Sequence, residues 1–423
     1  MILFSHPTGN ANVRHAALAL AEVDLLREFW TCLGWNPDSA INRLLPAKVK
    51  EQLGRRALPG PVRAVARYRP WREIGRMACM RAGIKSMLRH ERGPFSIDAV
   101  YRDLDRTVAR RTRSLPGVQS VYAYEDGAAD TFAAASDMGL KCIYDLPAGY
   151  WRSGHILYDE EKVRTPEWAC TLSGLLDSPE KLARKDEELR LADLVVVASG
   201  FAKNTLALAP HPVRAIQVIP YGAPPPIGVS RPADKEGKLK VLFAGALGQH
   251  KGFSYLLRAV AMLGPKIELT LLGRKTSEIC APLNEAVKRY RWIPSLPHHA
   301  VLEEMRRHHV FVLPSLSEGF GLVLLEAMAQ GLPIITTANT AGPDIIDEGQ
   351  SGFIVPVRSA EAIADKLDLL ARDRSLLRDM QNAAQLTATR FTWESYRNRI
   401  AAVVQAVLAP SRDSVSLPAT LQT

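Results

Sequence analysis

The chain is expected to fold as two doubly wound parallel α/β domains facing one another across a central cleft. Three observations point there. Its 423 residues exceed the length of one ordinary domain. Short apolar runs, each followed by a helix-like pattern, recur from end to end. That alternation is interrupted once, at the proline-rich stretch "APPPIGVSRPADKEGK" (223–238), and then restarts. Residues 1–222 are thus the first domain, 223–238 a stiff linker and 239–392 the second domain. A terminal helix over 393–409 is a candidate to pack back on the first domain, and the polar tail 410–423 is expected to be disordered.

In chain order, "ILFSH" (2–6) reads as a buried strand and leads into an amphipathic stretch over 13–26. "VQSVYAY" (118–124) precedes the helical "GAADTFAAASDMG", and "KCIYDLP" (141–147) ends in the aromatic loop "AGYWR". "PEKLARKDEELRLAD" has helical spacing, "LVVVAS" (194–199) is a buried strand, and "IQVIPYG" (216–222) closes the first series. The second series holds "LKVLFAG" (239–245), "IELTLLG" (267–273), "VFVLPSL" (310–316), "LPIITT" (332–337) and "GFIVP" (352–356), with helices between. Ligands of such sheets sit beyond the carboxyl ends of the strands, so the cleft between the domains is the expected site.

Hydrophobic residues at 47% and charged residues at 23% are the balance of a soluble globular protein. Five scattered cysteines without a CxxC pair argue against a disulfide framework or zinc knuckle, and for a reducing compartment. No apolar run reaches membrane-span length and the first residues carry no basic leader, so a cytoplasmic location is expected. The net charge of +10 is concentrated: residues 43–92 hold fourteen Lys/Arg against three Glu. A local anionic partner is the natural reading of such a segment. At helical spacing, Ile74, Met77, Arg81, Ile84, Lys85 and Leu88 would make a mixed basic and apolar face. An anionic membrane surface, holding the enzyme peripherally at the inner face, fits it.

The most informative stretch is "SEGFGLVLLEAMAQG" (317–331). It places Glu318 and Glu326 eight residues apart around a Gly-Phe-Gly turn that opens a helix. Along a helical axis that spacing is about 12 Å, too far for the two acids to share a proton. Gly319 and Gly321 leave backbone N–H groups uncovered at the helix start, a ready phosphate site. Two carboxylates flanking a phosphate site suit the two ends of a nucleotide sugar, whose hydroxyls donate to them.

This block resembles the signature of the retaining glycosyltransferases of family 4, which have the two-domain GT-B architecture. The likeness extends through "ALGQHKGFSYLL", "PSLSEGFGLVLLEAMAQGLPIITT" and the helix opened by "FTWESY". It implies a metal-independent hexosyltransferase with no cofactor beyond its nucleotide-sugar donor. It implies that Glu318 contacts the donor sugar, beside Phe320, and that Glu326 holds the ribose. Lys251, flanked by Gly245 and Gly252, would meet the diphosphate and stabilise the leaving charge. The family's usual arginine is replaced by Ala246, which leaves Arg274 as a substitute to consider. Base recognition is expected near "RWIPSL" (291–296). Gly9 and Asn10, in the turn after the first strand, occupy a loop the family uses near donor and acceptor. Histidines common in the first domain are here Tyr124, followed by Glu125, and Asp145, so Tyr124 and Asp145 become the acceptor-side candidates; His6 and His155 are further ones. The expected product is a glycan or glycolipid of the cell surface, built on a glycan or lipid-linked acceptor.

Three other readings were open to the residues. A nucleotide-sugar epimerase or hydrolase would use the same fold. A nucleic-acid-binding protein would use the basic segment, but that segment has no zinc, helix-turn-helix or base-stacking motif, so no nucleic acid is expected. "RDLDR" offers Asp103 and Asp105 as a metal-binding pair, but they lie in a charged stretch away from any nucleotide strand and read as structural, and no metal is expected.

Overall fold

The computed structural model describes residues 1–39, 46, 50, 53–54, 56–227 and 237–409. Residues 228–236 of the stiff linker expected over 223–238 and the disordered tail expected over 410–423 lie outside the described residues, as does part of the basic segment.

Two parallel sheets organise the chain. The first has seven strands: β1 (Ile2–Ser5), β2 (Leu26–Thr31), β3 (Ala66–Tyr68), β4 (Ser120–Tyr124), β5 (Lys141–Leu146), β6 (Leu194–Val197) and β7 (Ile216–Val218), in the order β3-β2-β1-β4-β5-β6-β7. The second has β8 (Leu239–Ala244), β9 (Ile267–Leu272), β10 (Arg291–Ile293), β11 (Val310–Leu313), β12 (Ile334–Thr337) and β13 (Gly352–Val355), in the order β10-β9-β8-β11-β12-β13. Strands such as "ILFS", "LVVV" and "VFVL" are buried along their whole length. Helices covering both faces of a parallel sheet require that, and it explains why these runs are continuously apolar rather than alternating. Strand order reverses between β1 and β4 and again between β8 and β11. In doubly wound sheets ligands bind at such reversals.

The strands missed by apolar-run reading lie at sheet edges or carry charge. The amphipathic stretch expected over 13–26 ends earlier: helix α1 spans Ala11–Glu22, and the chain turns through Asp24 at φ +55° into β2. Its "LREFWT" hid as a strand because Glu28 is polar yet buried. Arg111 makes it tolerable there, with Nη2 and Nε donating to the carboxylate at 2.6 and 3.0 Å. The helical face expected through Leu88 is also shorter. Helix α2 covers Trp71–Arg81, and the chain turns at Gly83, φ +68°, before a 3-10 turn over Lys85–Leu88.

Further on are α3 (Ile97–Ser114), α4 (Ala129–Asp137), α5 (Trp151–Arg164), α6 (Pro179–Leu191), α7 (Phe253–Leu263), α8 (His298–Met305), α9 (Leu322–Ala329) and α10 (Trp393–Leu408). The backbone returns from the second sheet beside its exit, with Ala223 N–H donating to Phe391 O at 2.8 Å. Helix α10 then lies along α1. His15 stacks on Trp393 at 4.1 Å between ring centres, and Arg397 Nε donates to Glu22 at 2.9 Å.

Candidate functional site

The loops beyond the two reversals face one another. On the second sheet, β8 runs into Gly245, and a 3-10 turn over Gln249–Lys251 follows. Gly252, at φ +66°, lets that turn pass so close to Pro314 O that no side chain would fit. The loop after β11 carries Ser317, Glu318 and Gly319. The two loops are tied by Leu316 N–H donating to His250 O at 2.9 Å. That tie brings Lys251 and Glu318 into an ion pair, with side chains 16% and 19% exposed. Burial pushes the Lys251 ammonium down to about 8 and the neighbouring His250 down to about 3. Glu318 Oε2 is buried, and the Lys251 ammonium is its partner.

Gly319 sits where an added Cβ would strike Pro147 O of the first domain, and Ser199 Oγ donates to its carbonyl. Gly321, at φ +81°, starts α9 with no side-chain cap, leaving first-turn N–H groups without an intrahelical partner. Phe320 is buried, its ring tilted against Tyr221 at 5.0 Å, so its side chain serves packing and only its backbone faces the turn.

The two glutamates line different cavities between the domains. Glu318, Ser317, Gly319 and Lys251 face Glu125, Trp151, His155, Tyr158, Asp177 and Lys185 across a cavity of about 330 Å³. Glu326 and Leu322 share another, of about 460 Å³, with Arg14, His298, His299 and Trp393. There Glu326 Oε1 lies 2.9 Å from His298 Nε2, and that contact raises the histidine's pKa. The uncapped start of α9 thus joins the walls of both cavities. A larger depression of about 790 Å³, beside Lys203, His211 and Val213 near β7, lies away from both reversals.

Other sequence candidates fall elsewhere. Gly9 takes φ +60° and Asn10 precedes α1, but Ala11 and Arg14 line the cavity in their place. His6 is not free: its Nδ1 accepts from the N–H groups of Thr8 and Gly9, both at 3.1 Å, and burial lowers its pKa to about 3. Tyr124 and Asp145, the acceptor-side candidates, are buried in the first core and line neither cavity. Tyr122 OH donates to Asp145 at 2.7 Å, and burial raises that carboxyl to about 7. The chain reaches the cavity one residue later, at Glu125. Arg274 is exposed and lines neither cavity. In "RWIPSL" Trp292 Nε1 donates to Gly273 O at 2.9 Å, and the cavity begins just after, at Pro297. His155 does line the first cavity, its Nε2 buried without a partner.

Asp103 accepts from Arg69 Nε and Trp71 Nε1, both at 2.9 Å, and Asp105 caps α4 by accepting from the N–H groups of Asp130 and Thr131 at 2.8 and 2.9 Å. Both are thereby committed to structure. Among the described residues His90, Glu91 and Asp177 place ligand-type atoms within 4.8 Å of one another. Asp177 is already paired with Lys181 and Lys185, at 2.9 and 3.3 Å, and Glu91 accepts from Ser178.

Residues 230–387 match the family described as glycosyl transferases group 1. A D-inositol 3-phosphate glycosyltransferase from Arthrobacter sp. (strain FB24) is 28% identical over 294 residues, covering 59% of this chain and 68% of the relative. A sucrose synthase from Acidithiobacillus caldus is 37% identical over 125 residues, 27% of this chain and 16% of the relative. Among solved structures, sucrose-phosphate synthase from Thermosynechococcus elongatus superimposes with a TM-score of 0.65 at 17% identity, covering 96% of this chain and 98% of that one. Anabaena Alr3699/HepE, in complex with UDP and glucose, gives 0.61 at 16%, covering 96% and 99%. At such identities the superpositions establish the fold: two Rossmann-like domains.

Proposed function

We propose that this chain, a glycosyltransferase of GT-B architecture with a group 1 C-terminal domain, moves a sugar from a nucleotide-sugar donor, with retention at the anomeric carbon. The observation that carries the reading is the Lys251–Glu318 pair, set beside the uncapped start of α9 at the reversal between β8 and β11. The diphosphate lies across that helix start, where N–H groups and an ammonium meet its charge. The sugar extends into the cavity of Glu318 and the ribose toward Glu326 and His298. The leaving diphosphate oxygen takes the acceptor's proton on the same face, while Lys251 and the helix dipole stabilise the charge that grows there. This route asks for no protein nucleophile. UDP in the Anabaena complex supports a nucleoside diphosphate as the leaving group.

The acceptor is a glycan or lipid-linked sugar of the cell surface. Support comes from the segment around α2. Ile74, Met80 and Ile84 are 54%, 55% and 46% exposed, and Arg81, Lys85, Arg89 and Arg92 are exposed among them. No helix among the described residues is long and apolar enough to cross a membrane. Such a mixed basic and apolar patch suits an anionic bilayer surface, each basic residue contributing ~1 kcal/mol. It is continuous with the rim of the Glu318 cavity, because His90 Nε2 lies 3.0 Å from Asp177.

A panel of nucleotide sugars screened by thermal shift, followed by transfer assays and assignment of the product anomer, tests the donor and the stereochemistry. Hydrolysis or epimerisation of the donor at full rate without acceptor would replace transfer by the alternative on the same fold. Liposome sedimentation tests the surface: binding to anionic vesicles at low salt, reversed at high salt, is expected, and protein left in the supernatant defeats the membrane reading.

A further inference from the structure

We propose that Glu125, braced by Lys185, is the residue on the N-terminal wall that reads the transferred sugar, and that it selects neutral sugars over uronates. The inference rests on the sugar end of the donor occupying the cavity of about 330 Å³ beside Lys251 and Glu318.

Glu125 follows the last residue of β4, the strand at the first sheet's reversal. Tyr124 packs edge-on against His6 in the core, while the next side chain turns to the cavity. Its N–H is held by Asp145 O at 3.3 Å, so its place is fixed by the sheet. Lys185 of α6 lies 3.3 Å from Glu125 Oε1, and also 3.3 Å from Asp177 and 3.7 Å from Asp126. Among these carboxylates the ammonium keeps its charge, its pKa raised, and it has none to offer an incoming anion. On the opposite wall Lys251 is paired with Glu318. The lining therefore sets the carboxylates of Glu125, Asp177 and Glu318 against the ammonium groups of Lys185 and Lys251.

Carboxylates in a confined site accept hydrogen bonds from sugar hydroxyls and repel a further carboxylate. A hexose donates to Glu125. A hexuronate brings its C6 carboxylate toward Glu125 and Asp177, where both ammonium groups of the lining are already paired with carboxylates. Like charge held across a closed wall is how a site rejects the wrong partner.

The test uses the full-length protein. The nucleoside diphosphate that stabilises it is first identified among UDP, GDP and ADP, and the hexose and hexuronate conjugates of that base are then compared by calorimetry. For UDP the pair is UDP-glucose and UDP-glucuronate. The wild type should bind the hexose conjugate ~100-fold more tightly than the uronate. Glu125→Gln keeps size and hydrogen bonding but removes the charge, and should narrow that ratio to ~10-fold by strengthening uronate binding. Affinity for the bare nucleoside diphosphate should not change, which shows that the variant is folded. Equal binding of the two conjugates by the wild type, or an unchanged ratio in Glu125→Gln, overturns the proposal. If instead Lys251→Ala leaves nucleoside diphosphate binding intact, it is the placement of the donor that fails.

Discussion

Glu161 and Glu318 are both glutamates at the seam between the two domains, and their surroundings are opposites. Glu161, on α5 of the first domain, is fully buried and satisfied. Gln249 Nε2, Tyr255 OH and Thr165 Oγ1 donate to one oxygen at 2.7, 2.8 and 3.0 Å, and Arg358 Nε donates to the other at 2.8 Å. Three of those donors belong to the second domain, so the carboxylate fastens one domain to the other. Glu318 stands at a cavity, and among the described residues its carboxylate has Lys251 as its one side-chain partner. That ammonium is itself weakened by burial. A buried carboxylate with every lone pair occupied is part of the fold. One left short of donors beside a cavity is poised for a ligand's hydroxyls. The two are linked, because Gln249, which Glu161 holds, begins the turn that ends at Lys251.

The largest effect should come from breaking the satisfied partner. Glu161→Ala leaves Arg358 and Gln249 without their acceptor in the seam and should lower stability by about 3–5 kcal/mol. The midpoint of urea unfolding measures it, and a loss near zero would return Glu161 to the surface-pair class. Lys251→Ala and Glu318→Ala should reverse the pattern. Turnover should fall ~10²–10³-fold, as when one group that stabilises developing charge is removed. Stability should change by about 1 kcal/mol, because the group left behind borders a cavity water can enter. Lys251→Ala should weaken donor binding as well, since diphosphate charge is present before transfer and grows during it. Glu318→Ala should leave donor affinity nearly intact.

Smaller again is Glu326→Ala, which removes a ribose contact made equally in ground and transition states. It should raise the KM for donor ~10-fold and leave kcat nearly unchanged. A matching fall in kcat would move Glu326 into the chemistry. The gentlest perturbation is pH. With the Lys251 pKa lowered to about 8, its ammonium is present below that pH and lost above it. kcat/KM for donor should therefore decline above about pH 8, and bound diphosphate should raise the pKa and carry the limb of kcat to higher pH. A flat profile to pH 10 would mean the ammonium plays no part.

How legible each region was follows from the same contrast. Glu318, Glu326 and Lys251 stood out because a glycine-rich turn, a helix start and a spaced pair of acids are local features of the chain. So were the buried strands, whose apolar runs are continuous wherever helices cover both faces of a sheet. β2 was hidden because the charge of buried Glu28 is met chiefly by Arg111, a partner 83 residues away. Glu161 was invisible for the same reason, its partners at Gln249 and Arg358 lying 88 and 197 residues on. Tyr124 lies one position from Glu125, which lines the cavity, and Asp145 lies three positions from Ala148, the next lining residue. Strand ends were readable, but which side chain turns out of the core into the cavity is decided by packing. Arg14 and His298 gave no local signal beyond their positions at helix starts, although together they frame the Glu326 cavity.

Central to the proposed function is the binding of a nucleoside diphosphate at Lys251 and the start of α9. Thermal-shift titration of UDP, GDP and ADP against wild type and Lys251→Ala tests this most directly, because stabilisation follows the ratio of ligand to dissociation constant and needs no acceptor. One of the three should raise the wild-type Tm in a saturable way, with the shift in Lys251→Ala needing at least ~10-fold more ligand. An identical titration in both proteins would contradict it.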